Sequence, residues 1–206
     1  MMSKTEIWLV RHAESMPSKE IPEADWPLSS VGVGQAQQLA HALKRLQIDA
    51  IFSSPYARAK ATVAPYAQGV GLQVRVTAAL RERKLTEESR DDWLALLQQS
   101  WSDFNFALPR CESSADCQRR MHACLAQLAA DHRGQTLLVC SHGNAIALYL
   151  HGIDDTFGFE AWAAMKNPDL FRITYETGRP FWHKSFTLHV ATEPMDALDG
   201  YSASAP

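Results

Sequence analysis

Apolar and polar positions follow one another along this chain in short blocks whose spacing switches between the period of a strand and that of a helix. Glu6-Ile7-Trp8-Leu9-Val10 is a brief apolar run that stops at Arg11-His12, the pattern of a buried strand ending in a loop. Ser29 or Ser30 can cap a helix with apolar positions at Val33, Ala36, Leu39, Ala40, Leu43 and Leu46, expected to close near Gln47. Asp49 to Ser53 reads as a second strand. Ser54-Pro55 then offers a cap and first-turn proline for a helix reaching about Tyr66. Leu72 to Val76 alternates as a third strand, and Thr136 to Cys140 reads as a buried fourth. Ser113 or Ser114 caps a long helix to about Ala130, and Gly143 opens another through Leu150. Leu170 to Tyr175 and Trp182 to Val190, joined across Thr177-Gly178-Arg179-Pro180, read as a terminal hairpin.

Short strands alternating with amphipathic helices predict an α/β fold, a three-layer α/β/α sandwich with a mainly parallel central sheet. Residues 81 to 112 break the alternation. They carry Arg81-Glu82-Arg83-Lys84, Glu87-Glu88, Trp93, Trp101, Phe104 and Phe106 around one short helical pattern near Trp93 to Gln98, and are read as an inserted lid region. No repeat or low-complexity linker divides the chain, so a single domain over 1–206 is expected, with a loosely ordered tail at 193–206. In parallel sheets ligands collect beyond the carboxyl ends of strands. Arg11-His12 follows the first strand and Ser141-His142-Gly143 the fourth, so the two pairs are expected to converge.

Composition narrows the partners. The 206 residues, 46% of them hydrophobic and 21% charged, suit one compact domain. A formal charge of -3 supplies no excess of cation for counterion release, which argues against nucleic acid as the main partner. No apolar run approaches the roughly 18 residues of a membrane span, and Met1 to Glu6 lacks the order of a signal peptide, so a soluble, cytoplasmic protein with no membrane partner is expected. Cys111, Cys117, Cys124 and Cys140 include no C-x-x-C pair and are read as reduced packing residues. His41, His122 and His132 lie on expected helices without partners at ligand spacing, so neither metal nor cofactor is expected.

A histidine beside an arginine at a strand end can be a nucleophile held against phosphate, since imidazole attacks phosphorus well and a guanidinium fork matches two phosphoryl oxygens. Alone, Arg11-His12 is equally a surface pair and Ser141-His142-Gly143 a histidine at a helix start. The ordered set of motifs is more specific. Leu9-Val10-Arg11-His12-Ala13-Glu14-Ser15 resembles the L-x-R-H-G-E-x signature of the histidine phosphatase superfamily, also called the phosphoglycerate-mutase-like family. Leu28 to Ala36 is similar to its L-T-x-x-G-x-x-Q-A helix start, and Ser53 to Thr62 to S-S-P-x-x-R-A-x-x-T. Leu80-Arg81-Glu82 resembles L-x-E, Leu108 to Ser113 resembles L-P-x-G-E-S, and Val139 to Asn144 resembles V-x-S-H-G-x.

The resemblance implies that His12 accepts the phosphoryl group, that Arg11, Arg58 and His142 form a cationic pocket for its oxygens, and that Glu82 is general acid and then general base. Glu87 and Glu88 are substitutes for the acid role, and Ser18 and Asn144 are further candidates near the phosphate. Two departures stand out. Ala13 replaces the usual glycine, and its methyl group makes a backbone conformation of positive φ less favourable there. Arg83-Lys84-Leu85-Thr86-Glu87 lacks the Y-G-x-L-x-G segment expected of the mutases. A metal-independent phosphomonoester hydrolase acting on a small molecule or a phosphoprotein is therefore the leading expectation. A phosphoglycerate mutase, or a phosphate- or partner-binding member without turnover, are the alternatives.

Overall fold

The structure is a computed structural model, and it describes residues 4–87 and 90–184. A six-stranded sheet runs β1 (Thr5–Arg11), β2 (Ala50–Ser53), β3 (Val74–Val76), β4 (Thr136–Ser141), β5 (Asp169–Glu176) and β6 (Arg179–Trp182) along the chain, in the spatial order β3-β2-β4-β1-β5-β6. The pairs β3–β2, β2–β4 and β4–β1 are parallel, while β5 and β6 close one edge antiparallel. The helices are α1 (Ser30–Leu43), α2 (Ala57–Val70), α3 (Trp93–Ser102), α4 (Ser114–Asp131), α5 (Gly143–His151) and α6 (Phe159–Ala163).

Both faces of the sheet are covered, which is why β1 and β4 read as continuous apolar runs rather than as alternating ones. Trp8, Val10, Ile51, Leu138 and Cys140 meet Leu39, Leu43, Ala59, Val63 and Tyr66 of α1 and α2. On the other face Ile7, Leu9, Phe52, Leu137 and Val139 meet Met121 and Leu125 of α4 and the apolar length of α5. Each fully buried aliphatic side chain contributes about 1.5–3 kcal/mol, so truncating Leu9, which has no exposed surface, to alanine costs on the order of 2–5 kcal/mol. Trp101 and Phe104, from the irregular stretch between β3 and α4, pack against this second core.

Several boundaries differ from those expected. Helix α1 ends at Leu43, and the apolar spacing reaches Leu46 through a turn in which the Leu46 amide donates to the Leu43 carbonyl. Helix α2 starts at Ala57 after Tyr56, so Ser54 and Pro55 lie outside it. It continues past Tyr66 to Val70, where Gly71 adopts a left-handed conformation (φ 69°) that L side chains disfavour. Strand β3 begins at Val74 rather than Leu72. The hairpin turns at Thr177-Gly178, both at positive φ, which matches the right-handed strand twist and brings Arg179 and Pro180 into β6. The remainder of the expected second hairpin strand, 185–190, and the tail at 193–206 lie outside the described residues. Periodicity does not foreshadow the short helix α6, five residues being too few to display it.

Candidate active site

Adjacent parallel strands set the centre of the site. In the β1–β4 register Arg11 lies opposite Ser141, so His12 and His142 leave neighbouring strands at one level, with the His12 amide donating to the Ser141 carbonyl (3.1 Å). The two imidazole centroids are 5.2 Å apart at an interplanar angle of 62°. The expected convergence is therefore present, but His12 is 8% exposed and lies inside the surface rather than on it.

The loop after His12 is clamped from two sides by the segments that carry the sequence motifs. From α1, the Ser29 hydroxyl accepts from the Gly32 amide (2.9 Å) and bonds Glu14 Oε1 (2.6 Å), while Gln35 Oε1 accepts from the Glu14 amide (2.8 Å). A Cβ at Gly32 would fall 1.9 Å from the Glu14 carbonyl oxygen, so only glycine lets the helix approach this closely. From α2, Thr62 Oγ1 accepts from the Ala13 amide (2.9 Å) and donates to the Arg58 carbonyl (2.7 Å), tying both site elements together. Ala13 is not among the residues of positive φ, so its methyl group carries no backbone penalty, and it packs with Leu28 and Ala36. The Asn167 side chain, from the loop before β5, donates to the His12 carbonyl (2.7 Å).

His12 Nδ1–H donates to the Ala13 carbonyl at 2.7 Å, which leaves the lone pair on Nε2, where Arg58 Nε donates at 3.2 Å. Burial, reinforced by the positive charges of Arg58 and Arg11, pushes the His12 pKa down to about 3, so the ring is neutral near pH 7. His142 is fully buried, and burial followed by the neighbouring His12 and Arg58 holds it well below the usual histidine range. The positive charge of the pocket accordingly comes from the two arginines. Ser54 Oγ accepts from the Tyr56 amide (3.2 Å) and lies 2.7 Å from His142 Nε2. That contact holds the His142 ring through Nε2, while Nδ1 is buried without a hydrogen-bond partner among the described residues. The local sequence reads Ser54 as a helix cap, and its contact with His142 follows only from β2 lying beside β4.

Arg58 on the first turn of α2 is buried, with Nη1 donating to the Glu23 carbonyl and Nη2 to Glu23 Oε1, both at 2.7 Å. The rings of Tyr56 and Trp26 lie 4.9 and 5.6 Å from its guanidinium carbon. Arg11 donates through Nη1 to the Met165 carbonyl (2.7 Å), and its Nε is buried without a partner among the described residues. At Gly143 an added Cβ would come 3.2 Å from Arg11 Nε, so a larger residue would displace the guanidinium by a few tenths of an ångström. Burial lowers the Arg11 pKa, and the charges of Glu82 and Asp169 oppose the effect.

Glu82 is brought to the same centre by the first turn of α5. Its Oε1 accepts from the amides of Arg83 (2.7 Å) and Ala145 (2.9 Å), and Oε2 from the Asn144 amide (3.1 Å). Burial raises the Glu82 pKa above the usual carboxyl value, and the negative charge of Glu23 adds to this. The segment is pinned from behind. Ser141 Oγ donates to the Leu80 carbonyl (2.8 Å), and Arg120 donates to the carbonyls of Ala79 (2.7 Å) and Arg81 (3.1 Å) while forking onto Glu112 (2.8 and 2.7 Å). Glu87, one of the substitutes for the acid role, instead pairs with Lys84 and Arg110, and the Lys84 hydrogen bond lowers its pKa. Glu88 lies outside the described residues. The Ser18 hydroxyl accepts from the Glu20 amide and its backbone carbonyl from the Trp26 indole, whereas Asn144 reaches Glu82 through its backbone amide.

Known proteins resemble the chain throughout this frame. The sequence pattern of the histidine phosphatase superfamily (branch 1) matches residues 7–186. A probable phosphoglycerate mutase, GpmB, of Escherichia fergusonii is 30% identical over 189 residues, covering 83% of this chain and 85% of that protein. Among solved structures, a mycobacterial glucosyl-3-phosphoglycerate phosphatase superimposes with a TM-score of 0.71 at 23% identity, covering 87% of this chain and 97% of the other. A mutant phosphoserine phosphatase from Entamoeba histolytica, in complex with phosphoserine, does so with a TM-score of 0.73 at 20% identity, covering 91% and 98%. The chain belongs to the histidine phosphatase superfamily, branch 1.

Proposed function

We propose that the protein is a metal-independent phosphomonoesterase that works through a phosphohistidine at His12. The observation that carries this reading is the orientation of the His12 ring: Nδ1–H is spent on the Ala13 carbonyl, and Nε2 is left as a neutral base facing Arg58. No proton need be removed before attack. As the phosphoryl group transfers, Arg58 Nε turns from the Nε2 lone pair to an equatorial oxygen, and Arg11 and the His142 ring supply further donors to the spreading negative charge.

Glu82 protonates the departing alkoxide. Oε1 already accepts two amide protons and Oε2 only one, so the carboxyl proton resides on Oε2. Once the alcohol has left, the same carboxylate takes a proton from water attacking the phosphohistidine, and His12 is released neutral. The test is turnover of p-nitrophenyl phosphate in chelator by the wild type, with loss in His12→Ala. Activity that survives this substitution refutes the mechanism.

The names of the curated relatives favour a second reading, phosphoglycerate mutase. A mutase returns its phosphoryl group to a bound, carboxylated acceptor, so interconversion of 2- and 3-phosphoglycerate faster than phosphate release would establish it. Release of phosphate without interconversion would reject it.

A further inference from the structure

The mechanism leaves unused one charged group that lies against the reacting residues. Glu23 opens a short 3-10 turn (Glu23–Asp25), and both its backbone carbonyl and its carboxylate are bonded to Arg58, the arginine that also contacts His12 Nε2. The pair is lopsided: the Arg58 side chain is 4% exposed and that of Glu23 45%. Nearly half of the Glu23 side-chain surface therefore faces solvent immediately outside the phosphoryl-binding arginine, and its charge reaches Glu82 and the Tyr56 phenol.

Apart from Arg11, which the mechanism uses on the phosphoryl group, the other arginines near Glu82 are already bonded. Arg81 pairs with Glu112 (3.0 Å), Arg120 forks onto the same carboxylate, and Arg83 is buried on the hydroxyls of Ser114 and Ser100. What the direct contacts of Arg58 offer to the alcohol half of a phosphomonoester is thus an anion and the rings of Tyr56 and Trp26, with the partly exposed Arg81 beyond them held by Glu112. A carboxylate or second phosphate on the substrate would meet Glu23 as a like charge. An ammonium would meet it as an opposite one, with aromatic faces beside it.

We propose that Glu23 is a specificity residue that selects phosphomonoesters with a cationic or neutral alcohol portion and rejects those carrying a second anionic group next to the ester. The inference rests on the phosphomonoesterase reading and names the substrate class for that site. Rejection of like charge across an exposed gap of this kind amounts to about a tenfold bias at low ionic strength, reduced by salt.

Three matched esters test it: phosphoethanolamine, propyl phosphate and phosphoglycolate, compared by kcat/KM in the wild type and in Glu23→Gln. The glutamine keeps a side-chain oxygen for Arg58 and the backbone bond is unaffected. The expected result is a wild-type preference for the ammonium ester over the carboxylate ester of about tenfold or more, falling toward unity in Glu23→Gln and in high salt. A wild type that prefers phosphoglycolate, or a ratio unchanged by Glu23→Gln, overturns the proposal. So does a uniform rate increase on all three esters, which would mark Glu23 as a simple competitor for Arg58. Calorimetric affinities of the same esters for His12→Ala, with and without Glu23→Gln, read the same ratio without turnover. Absence of wild-type turnover would then remove the phosphatase reading, while the order of affinities would still decide the role of Glu23.

Discussion

Replacing Glu82 by glutamine separates the chemistry of the carboxyl group from its place in the fold. The carboxylate accepts three amide protons, and a glutamine oriented with its oxygen at the Oε1 position keeps two of them, from Arg83 and Ala145. Its amide nitrogen then faces the Asn144 amide, so one hydrogen bond is lost and two donors oppose each other. The stability cost is about 1–3 kcal/mol, which leaves the protein folded. The catalytic cost depends on the leaving group. For an alkyl phosphate the departing oxygen needs the proton on Oε2, and general acid catalysis is worth roughly 10²–10⁴-fold, or about 3–5 kcal/mol. For p-nitrophenyl phosphate the phenolate leaves without that proton, so kcat/KM, which reports the steps through phosphoryl transfer, changes little. The kcat value for the nitrophenyl ester still falls, because hydrolysis of the phosphohistidine has lost its base. Steady-state kinetics on the two substrates in both proteins is the assay. An equal fractional loss of kcat/KM on the alkyl and nitrophenyl esters would refute the assignment of Glu82 as the acid.

Three more outcomes follow from the packing and the charges. Gly32→Ala forces a Cβ into the Glu14 carbonyl and costs about 2 kcal/mol or more in urea unfolding, whereas Gly34→Ala, with nothing within 4 Å, raises stability by roughly 0.5–1 kcal/mol; the opposite order would refute the docking of α1 on the His12 loop. Ser54→Ala removes the hydroxyl that holds the His142 ring at Nε2 and lowers kcat/KM about 10–100-fold with only a small change in melting temperature; unchanged kinetics would show that this contact does not position His142 for turnover. Acid unfolding tests the buried imidazoles. With the His12 pKa lowered from 6.5 to about 3, the unfolded chain binds more protons than the native one between those values, so stability is full above pH 6.5 and declines as pH falls toward 3, by up to about 5 kcal/mol. His142 acts in the same direction, and Glu82 in the opposite one, since its raised pKa favours the native state at low pH and that contribution is lost as pH rises. His12→Asn should flatten the acid limb of stability measured by urea titration at several pH values; an unaltered slope contradicts a neutral buried ring.

The parts of this protein that are legible in its sequence are those where a local pattern and a long-range contact coincide. The apolar runs at β1 and β4 are uninterrupted because both faces are covered, and strand ends in a parallel sheet point to one edge, so the convergence of His12 with His142 could be expected. Gly32 and Gln35 belong to a recognisable motif, and the close approach of α1 to Glu14 shows the physical reason for both. Glu112 is a motif residue of the same kind, holding Arg120 on the backbone that carries Glu82. Ser54 misleads because a serine before a proline has the local chemistry of a helix cap, and its hydroxyl does accept from the nearby Tyr56 amide, while its contact in the site is with His142, 88 positions away. Glu23, Asn167 and Asp169 come from segments without helical periodicity, and their meeting with Arg58, His12 and the charge of Arg11 depends on how distant stretches of the chain stack. Trp101 and Phe104 advertise burial correctly, but only packing shows that they close a core against α4 and α5.

The central claim is that the neutral Nε2 of His12 forms a bond to phosphorus. Rapid mixing with radiolabelled p-nitrophenyl phosphate, whose leaving group needs no proton from Glu82, followed by alkaline quench and peptide mapping reads it directly. The expected result is alkali-stable, acid-labile label on the peptide containing His12, in amounts approaching one per chain in Glu82→Gln, where hydrolysis is slowed, and none in His12→Ala. Label on a different residue, or turnover in which no labelled protein forms even in Glu82→Gln, would contradict the account.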